Sequence, residues 1–144
     1  MSESSPWFIW ALLSAVFAAV TAILAKLGVQ GVDPDLATLL RTGVVILALG
    51  ALVMATGKWR SPFELNAKTL MFLGLSGLAT GASWVCYFRA LKIGAASKVA
   101  PVDKFSVVLV AIFAFLFLSE RPSVRDWLGI CLVAAGVVLL ALKR

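Results

Sequence analysis

Histidine is absent from all 144 residues, which removes the commonest metal ligand and the commonest general base at neutral pH. Charged residues make up only 14%, against about 25% in an average soluble domain. The two cysteines, Cys86 and Cys131, both lie inside apolar runs, so neither a disulfide framework nor a zinc site is indicated. A G-x-S-x-G elbow, a phosphate loop and paired carboxylates on one helix face are also missing. These absences exclude most soluble enzymes and argue against catalysis; no metal or cofactor is expected. What remains is apolar. Hydrophobic residues reach 62% and the mean hydropathy is +1.03, more than one small core can hide from water.

A membrane-crossing helix needs about 20 largely apolar residues. Trp7 to Ala25 is an uncharged run of 19, and Leu36 to Gly57 a run of 22 broken only by Arg41. Thr69 to Phe88 gives 20 more, Phe105 to Ser119 extends back to Ser97, and Trp127 to Leu142 extends back to Arg125. The reading is an all-α integral membrane protein, one membrane domain over 1–144, with five spans at 7–28, 36–57, 69–90, 97–119 and 125–142. Continuous rather than alternating apolarity excludes a strand barrel. The first run lacks a basic start and is too long for the apolar part of a signal peptide, so it is read as a retained helix.

Short turns separate the spans. Gly31-Val32-Asp33-Pro34-Asp35 is a turn whose aspartate can cap the next helix. Gly57 to Pro62, Arg89 to Ser97 and Glu120 to Ser123 mark the other breaks. Small residues line single helix faces: Gly74, Gly77 and Gly81; Gly43 and Gly50; Gly129 and Gly136; and an alanine stripe from Ala15 to Ala22. Such stripes let helices approach closely. Most are expected to pack inside the chain, and Gly129 and Gly136 are assigned to a dimer seam.

The net charge of +6 comes from basic residues dispersed at span ends, where snorkelling to headgroups accounts for them and nucleic acid does not. With the N-terminus outside, eight basic residues fall on the cytoplasmic side and five opposite; discounting Lys26, Arg41 and Lys104 makes it five against five. Orientation is therefore weakly specified. Charges inside spans usually serve a site. Lys26, Arg41, Asp103 and Lys104 all fall, by span parity, at the end where Arg89 and Lys92 lie. Trp84, Tyr87 and Phe88 share one face of the third helix, with Ser83 and Ser106 near in depth. The expected binding set is Lys26, Arg41, Trp84, Tyr87, Asp103 and Lys104. Against it stands a plain alternative: snorkelling cations, an aromatic packing face, and a structural pair between Asp103 and Arg41 or Lys26. Asp103 and Lys104, as neighbours on a helix, should point about 100° apart.

The C-terminal third carries a pattern. Phe117-Leu118-Ser119-Glu120-Arg121-Pro122-Ser123, then Trp127-Leu128-Gly129 and Ala135-Gly136-Val137, resembles the ending of the EamA repeat of the drug/metabolite transporter superfamily, and Ala95 to Pro101 resembles the start of that repeat's fourth helix. The resemblance covers nearly the whole chain as one five-helix repeat, similar to the single-repeat bacterial and archaeal members. It implies a multi-pass protein of the prokaryotic inner membrane. It also implies a homodimer, since alternating access needs two opposed halves; the near-balanced charge permits an antiparallel one. The related small multidrug resistance proteins couple to protons through an acid in the first helix, whereas here that helix carries Lys26. The functional expectation is a dimeric transporter or flippase for a small metabolite or an anionic amphiphile, with membrane lipids as surroundings. The alternatives are a non-transporting scaffold or accessory subunit, and a cation or drug exporter coupled through Asp103.

Overall fold

The computed structural model describes residues 6–61 and 64–142, with the side chain of Pro6 excepted. Pro62, and Lys143 and Arg144 of the basic-residue count, lie outside the described residues. Among those described, every regular element is helical: α1 (Pro6–Gly28), α2 (Pro34–Ala55), α3 (Ala67–Ile93), α4 (Ala96–Asp103), α5 (Ser106–Phe117) and α6 (Val124–Ala141). With α4 and α5 counted as one span, Ala96–Phe117, five helices are long and apolar enough to cross a membrane. The protein is an all-α membrane protein with five spans.

Local chemistry sets the boundaries. Asp33 is the N-cap of α2, accepting from the amides of Asp35 at 2.9 Å and Leu36 at 3.2 Å, and Pro34 follows at the first helical position, where its missing N–H costs nothing. That moves the start two residues ahead of the hydropathy edge at Leu36. The end moves too. Gly57, at φ 65°, lies beyond the helix: its amide reaches Met54 O and that of Lys58 reaches Val53 O, both at 3.1 Å. This is the paired capping that a left-handed residue after a helix makes possible. At α6, Ser123 and Asp126 cap each other reciprocally.

The fourth span is interrupted. Pro101 lies inside α4 and has no amide to give the carbonyl of Ser97. The helix nonetheless runs through it and changes at Lys104–Phe105, where the amides of Lys104 and Phe105 bond three residues back, to Pro101 O and Val102 O, at 3.0 Å. This short-period turn separates α4 from α5.

The chain divides into two units, 1–93 and 94–144. In the first, α1 and α2 each pack against α3. Among the described residues its buried ones, Ala22, Ala25, Val29, Thr38, Phe88 and Leu91, come from the end of α1, the turn after it, the start of α2 and the end of α3. The three helices are sealed at that one end. The remainder of the unit presents large apolar side chains outward, Leu47 and Leu78 among them, as a lipid-facing surface requires. In the second unit α4 and α5 both pack on α6. Ala114 and Val137 are its buried residues among those described, and Phe115 meets Trp127 edge-on at 6.5 Å.

Within each unit the glycine stripes carry no close helix contact. A Cβ placed on Gly43, Gly50, Gly74, Gly77, Gly81, Gly129 or Gly136 meets nothing within 4 Å. Within each unit, the expectation that most of them mediate close helix approach is corrected: an added Cβ meets open space.

Candidate functional site

At the sealed end of the first unit, four cations on three helices find different partners. Lys26, in the last turn of α1, donates its ammonium to the carbonyl of Leu91 at 2.6 Å. That carbonyl belongs to the last turn of α3, where helix acceptors lack intrahelical donors and the helix dipole favours a cation. Lys92 donates to Val32 O at 2.9 Å, holding the α1–α2 turn. Arg89 forms a fork with Asp35, Nε to Oδ1 at 2.9 Å and Nη2 to Oδ2 at 2.6 Å, the bidentate geometry that suits guanidinium and carboxylate. These three contacts explain why this end is closed.

Arg41 differs. It is the eighth residue of α2 and so lies about 10 Å along that span. Its guanidinium carbon stands 4.2 Å from the centroid of the Trp84 ring and 5.6 Å from that of Phe88, a cation–π arrangement strengthened where water is scarce. Tyr87 meets Phe88 edge-on at 6.4 Å and completes the aromatic wall. Thr38 and Thr42, one turn apart on α2, give their hydroxyl protons to Pro34 O and Thr38 O at 2.8 and 2.7 Å. Among the described residues Arg41 has no carboxylate partner.

Arg41 borders a groove of about 380 Å³ between α1 and α2. Thr21, Leu24, Ala25 and Gly28 form one wall, Ala37 and Leu40 the other, with Phe88 and Val32 closing the remaining sides. Small residues make the depression, and one embedded cation lies at its edge.

Of the six residues expected at the site, Arg41 and Trp84 touch, Tyr87 adjoins through Phe88, and Lys26 is held on Leu91 O. Asp103 and Lys104 belong to the second unit. There Lys104 Nζ lies 3.1 Å from Asp103 Oδ2. Lys104 keeps a helical backbone conformation at the end of α4, and its long side chain reaches the neighbouring carboxylate across the expected divergence. Sequence reasoning missed the Asp35–Arg89 fork: Asp35 enters that reasoning only as part of the Gly31–Asp35 turn, though its place one residue after Pro34, at the end where Arg89 emerges, is the available signal. The groove walls were missed as well. Their signal was the run of Thr21, Ala25 and Gly28 along one face of α1.

Five apolar helices with a cation held inside one span define a multi-pass helical membrane protein. Residues 5–142 match the model of the EamA-like transporter family, and the chain belongs to that family. It is thus a membrane transporter by family, as the Phe117–Ser123 pattern implied. A Sinorhizobium protein named "Uncharacterized transporter in cobO 3'region" is 56% identical over 141 residues, spanning 98% of this chain and 99% of that protein. "Uncharacterized transporter YxxF" of Bacillus subtilis is 25% identical over 143 residues, but this chain spans only 42% of its length. "Probable 4-amino-4-deoxy-L-arabinose-phosphoundecaprenol flippase subunit ArnE" of Hamiltonella defensa is 30% identical over 88 residues, 60% of this chain and 76% of that protein. No solved structure matches.

Proposed function

We propose that this chain is a transporter of a prokaryotic inner membrane that works as a homodimer and moves a small anionic metabolite or an anionic amphiphile. The observation that carries this reading is Arg41, an embedded guanidinium held by Trp84 and Phe88 at the edge of an apolar groove, with no carboxylate partner among the described residues. A charge inside a span is costly and generally serves a site. Bacterial transporter relatives support the membrane, and the Sinorhizobium relative, matched over 99% of its length, is a transporter of the same size class. Lys26, at the same end of the first unit, adds to the positive field, and Trp84 and Tyr87 contact the apolar part of the ligand.

The test is ligand-induced stabilisation followed by flux. A ligand that binds only the folded protein raises its melting temperature by mass action. Anionic ligands should do so, cationic ones should not, and Arg41→Gln should remove the response while the protein still folds. Uptake of the stabilising anion into proteoliposomes should then depend on Arg41. Stabilisation by cations alone would overturn the reading and favour an exporter working through Asp103.

A second reading has one observation behind it: the ArnE relatives are described as flippase subunits. On that reading this chain is an accessory subunit. Stable co-purification with a second membrane protein, without flux from the chain alone, would favour it.

A further inference from the structure

We propose that the groove between α1 and α2 seats the apolar tail of an anionic amphiphile, which enters sideways from the bilayer and places its head oxygens on Arg41. This rests on the reading of Arg41 as an anion contact, and adds the tail, the route and the wall residues.

Three observations lead to it. First, the groove is open along its side. Leu24 and Leu40, on its opposite walls, are 62% and 61% exposed, and both belong to membrane spans. A ligand can pass between them without crossing the sealed end at Val29 and Leu91, both fully buried.

Second, the groove offers little to a hydrophilic solute. Small-molecule sites combine apolar walls with several converging polar groups. Here the walls are leucine, alanine, glycine, valine and phenylalanine, with one threonine and one guanidinium. A free sugar or amino acid would leave most of its polar groups without partners, which is costly away from water. An alkyl or isoprenoid tail leaves none.

Third, the other charges at this end are engaged. Asp35 is forked to Arg89, Asp33 accepts from the first amides of α2, and Lys26 and Lys92 donate to carbonyls. Arg41 has two ring faces and no acceptor among the described residues. A planar guanidinium matches two oxygens of one anionic group, whether phosphate or carboxylate. The groove starts where that head would sit.

The experiment uses the full chain in vesicles of phosphatidylcholine, with Trp7, Trp10, Trp59 and Trp127 replaced by Phe, so that Trp84 is the sole indole. Quenching of Trp84 is compared for small added fractions of phosphatidic acid with dibrominated chains, dibrominated phosphatidylcholine and free dibromostearate. Both brominated anions, or one of them, should quench well beyond the zwitterionic lipid, and which one does so separates phosphate from carboxylate. Arg41→Gln should reduce that preference about tenfold, the loss of about 1.4 kcal/mol. Gly28→Leu, which keeps Arg41 but fills the groove where an added Cβ meets nothing within 4 Å, should abolish it. Preference retained in both variants overturns the proposal.

A competition arm separates this failure from that of the broader reading. Water-soluble glycerol phosphate should not displace the brominated anion. If it does so fully, and Gly28→Leu leaves its binding intact, the tail and the lateral route are wrong while Arg41 remains an anion contact. If no anion, long or short, is preferred over the zwitterion, the anion reading itself falls.

Discussion

Lys26 Nζ donates to the carbonyl of Leu91 at 2.6 Å, tying the last turn of α1 to the last turn of α3. A cation that entered the sequence reading as a ligand for substrate thus holds a helix terminus. The contact lies beside Val29 and Leu91, the two most deeply buried large side chains among those described, so anchoring and packing coincide.

Lys26→Met should therefore cost stability before it costs binding. Losing one charged hydrogen bond in a partly buried place is worth about 2 kcal/mol, read as a lower melting temperature in detergent. Any ligand that stabilises the wild type should still stabilise Lys26→Met by a similar increment. A variant of normal stability that no longer responds to ligand would instead place Lys26 at the substrate.

The Asp35–Arg89 fork should show the opposite balance of energy and geometry. Its side chains are 50% and 62% exposed, so water or headgroups screen it and the pair contributes little to stability. Asp35→Arg should be worse than Asp35→Asn, because it sets two cations facing each other. Asp35→Arg combined with Arg89→Asp should recover most of the loss. A double-mutant cycle on melting temperatures checks this, and a coupling near zero would show the fork to be incidental.

The five spans were legible because a membrane helix advertises itself in composition alone: a run such as Trp7 to Ala25 has no reading compatible with water. Span ends were less legible, since they depend on caps. Gly57 looks like part of an apolar run until its left-handed φ is known, and Pro34 looks like a turn residue although it opens a helix. The Arg41–Trp84 contact was half legible. Residues 41 and 84 could be placed at one end of the bundle by span parity, but the stacking depends on how α2 and α3 cross. Which cations were already engaged was not legible. Lys26 and Lys92 bond to backbone carbonyls, and a carbonyl carries no residue-type signal in a sequence.

The break after α5 offers a backbone test. Ser119 has φ 56°, a left-handed conformation that costs a residue with a Cβ about 1–2 kcal/mol, and the amide of Glu120 turns back to Ala114 O at 3.2 Å. Ser119→Gly should stabilise by about 0.5 kcal/mol, the relief of strain offset by greater freedom of the unfolded chain. Ser119→Val should destabilise by about 1 kcal/mol or more, since branching at Cβ makes that region costlier. Four residues on, Ser123→Ala should lose about 1 kcal/mol by removing the cap of α6. Equal stability of all three would mean that this turn is not held as the structure shows it.

The last prediction concerns Gly129 and Gly136, seven residues apart on α6. Inside the chain nothing lies within 4 Å of a Cβ added to either. Replacing them by leucine should thus leave the fold of a single chain intact, and helical content and monomer melting should hardly change. If the proposed dimer closes through this face, the same substitutions should block close approach of the second α6 and weaken association. Two measurements on one sample separate the outcomes: melting of the chain in detergent, and crosslinking in the membrane. Loss of dimer with unchanged melting is the expected result. Unchanged crosslinking in Gly129→Leu and Gly136→Leu would move the seam elsewhere, and Gly77→Leu on α3, whose face is equally open, is the first alternative to try.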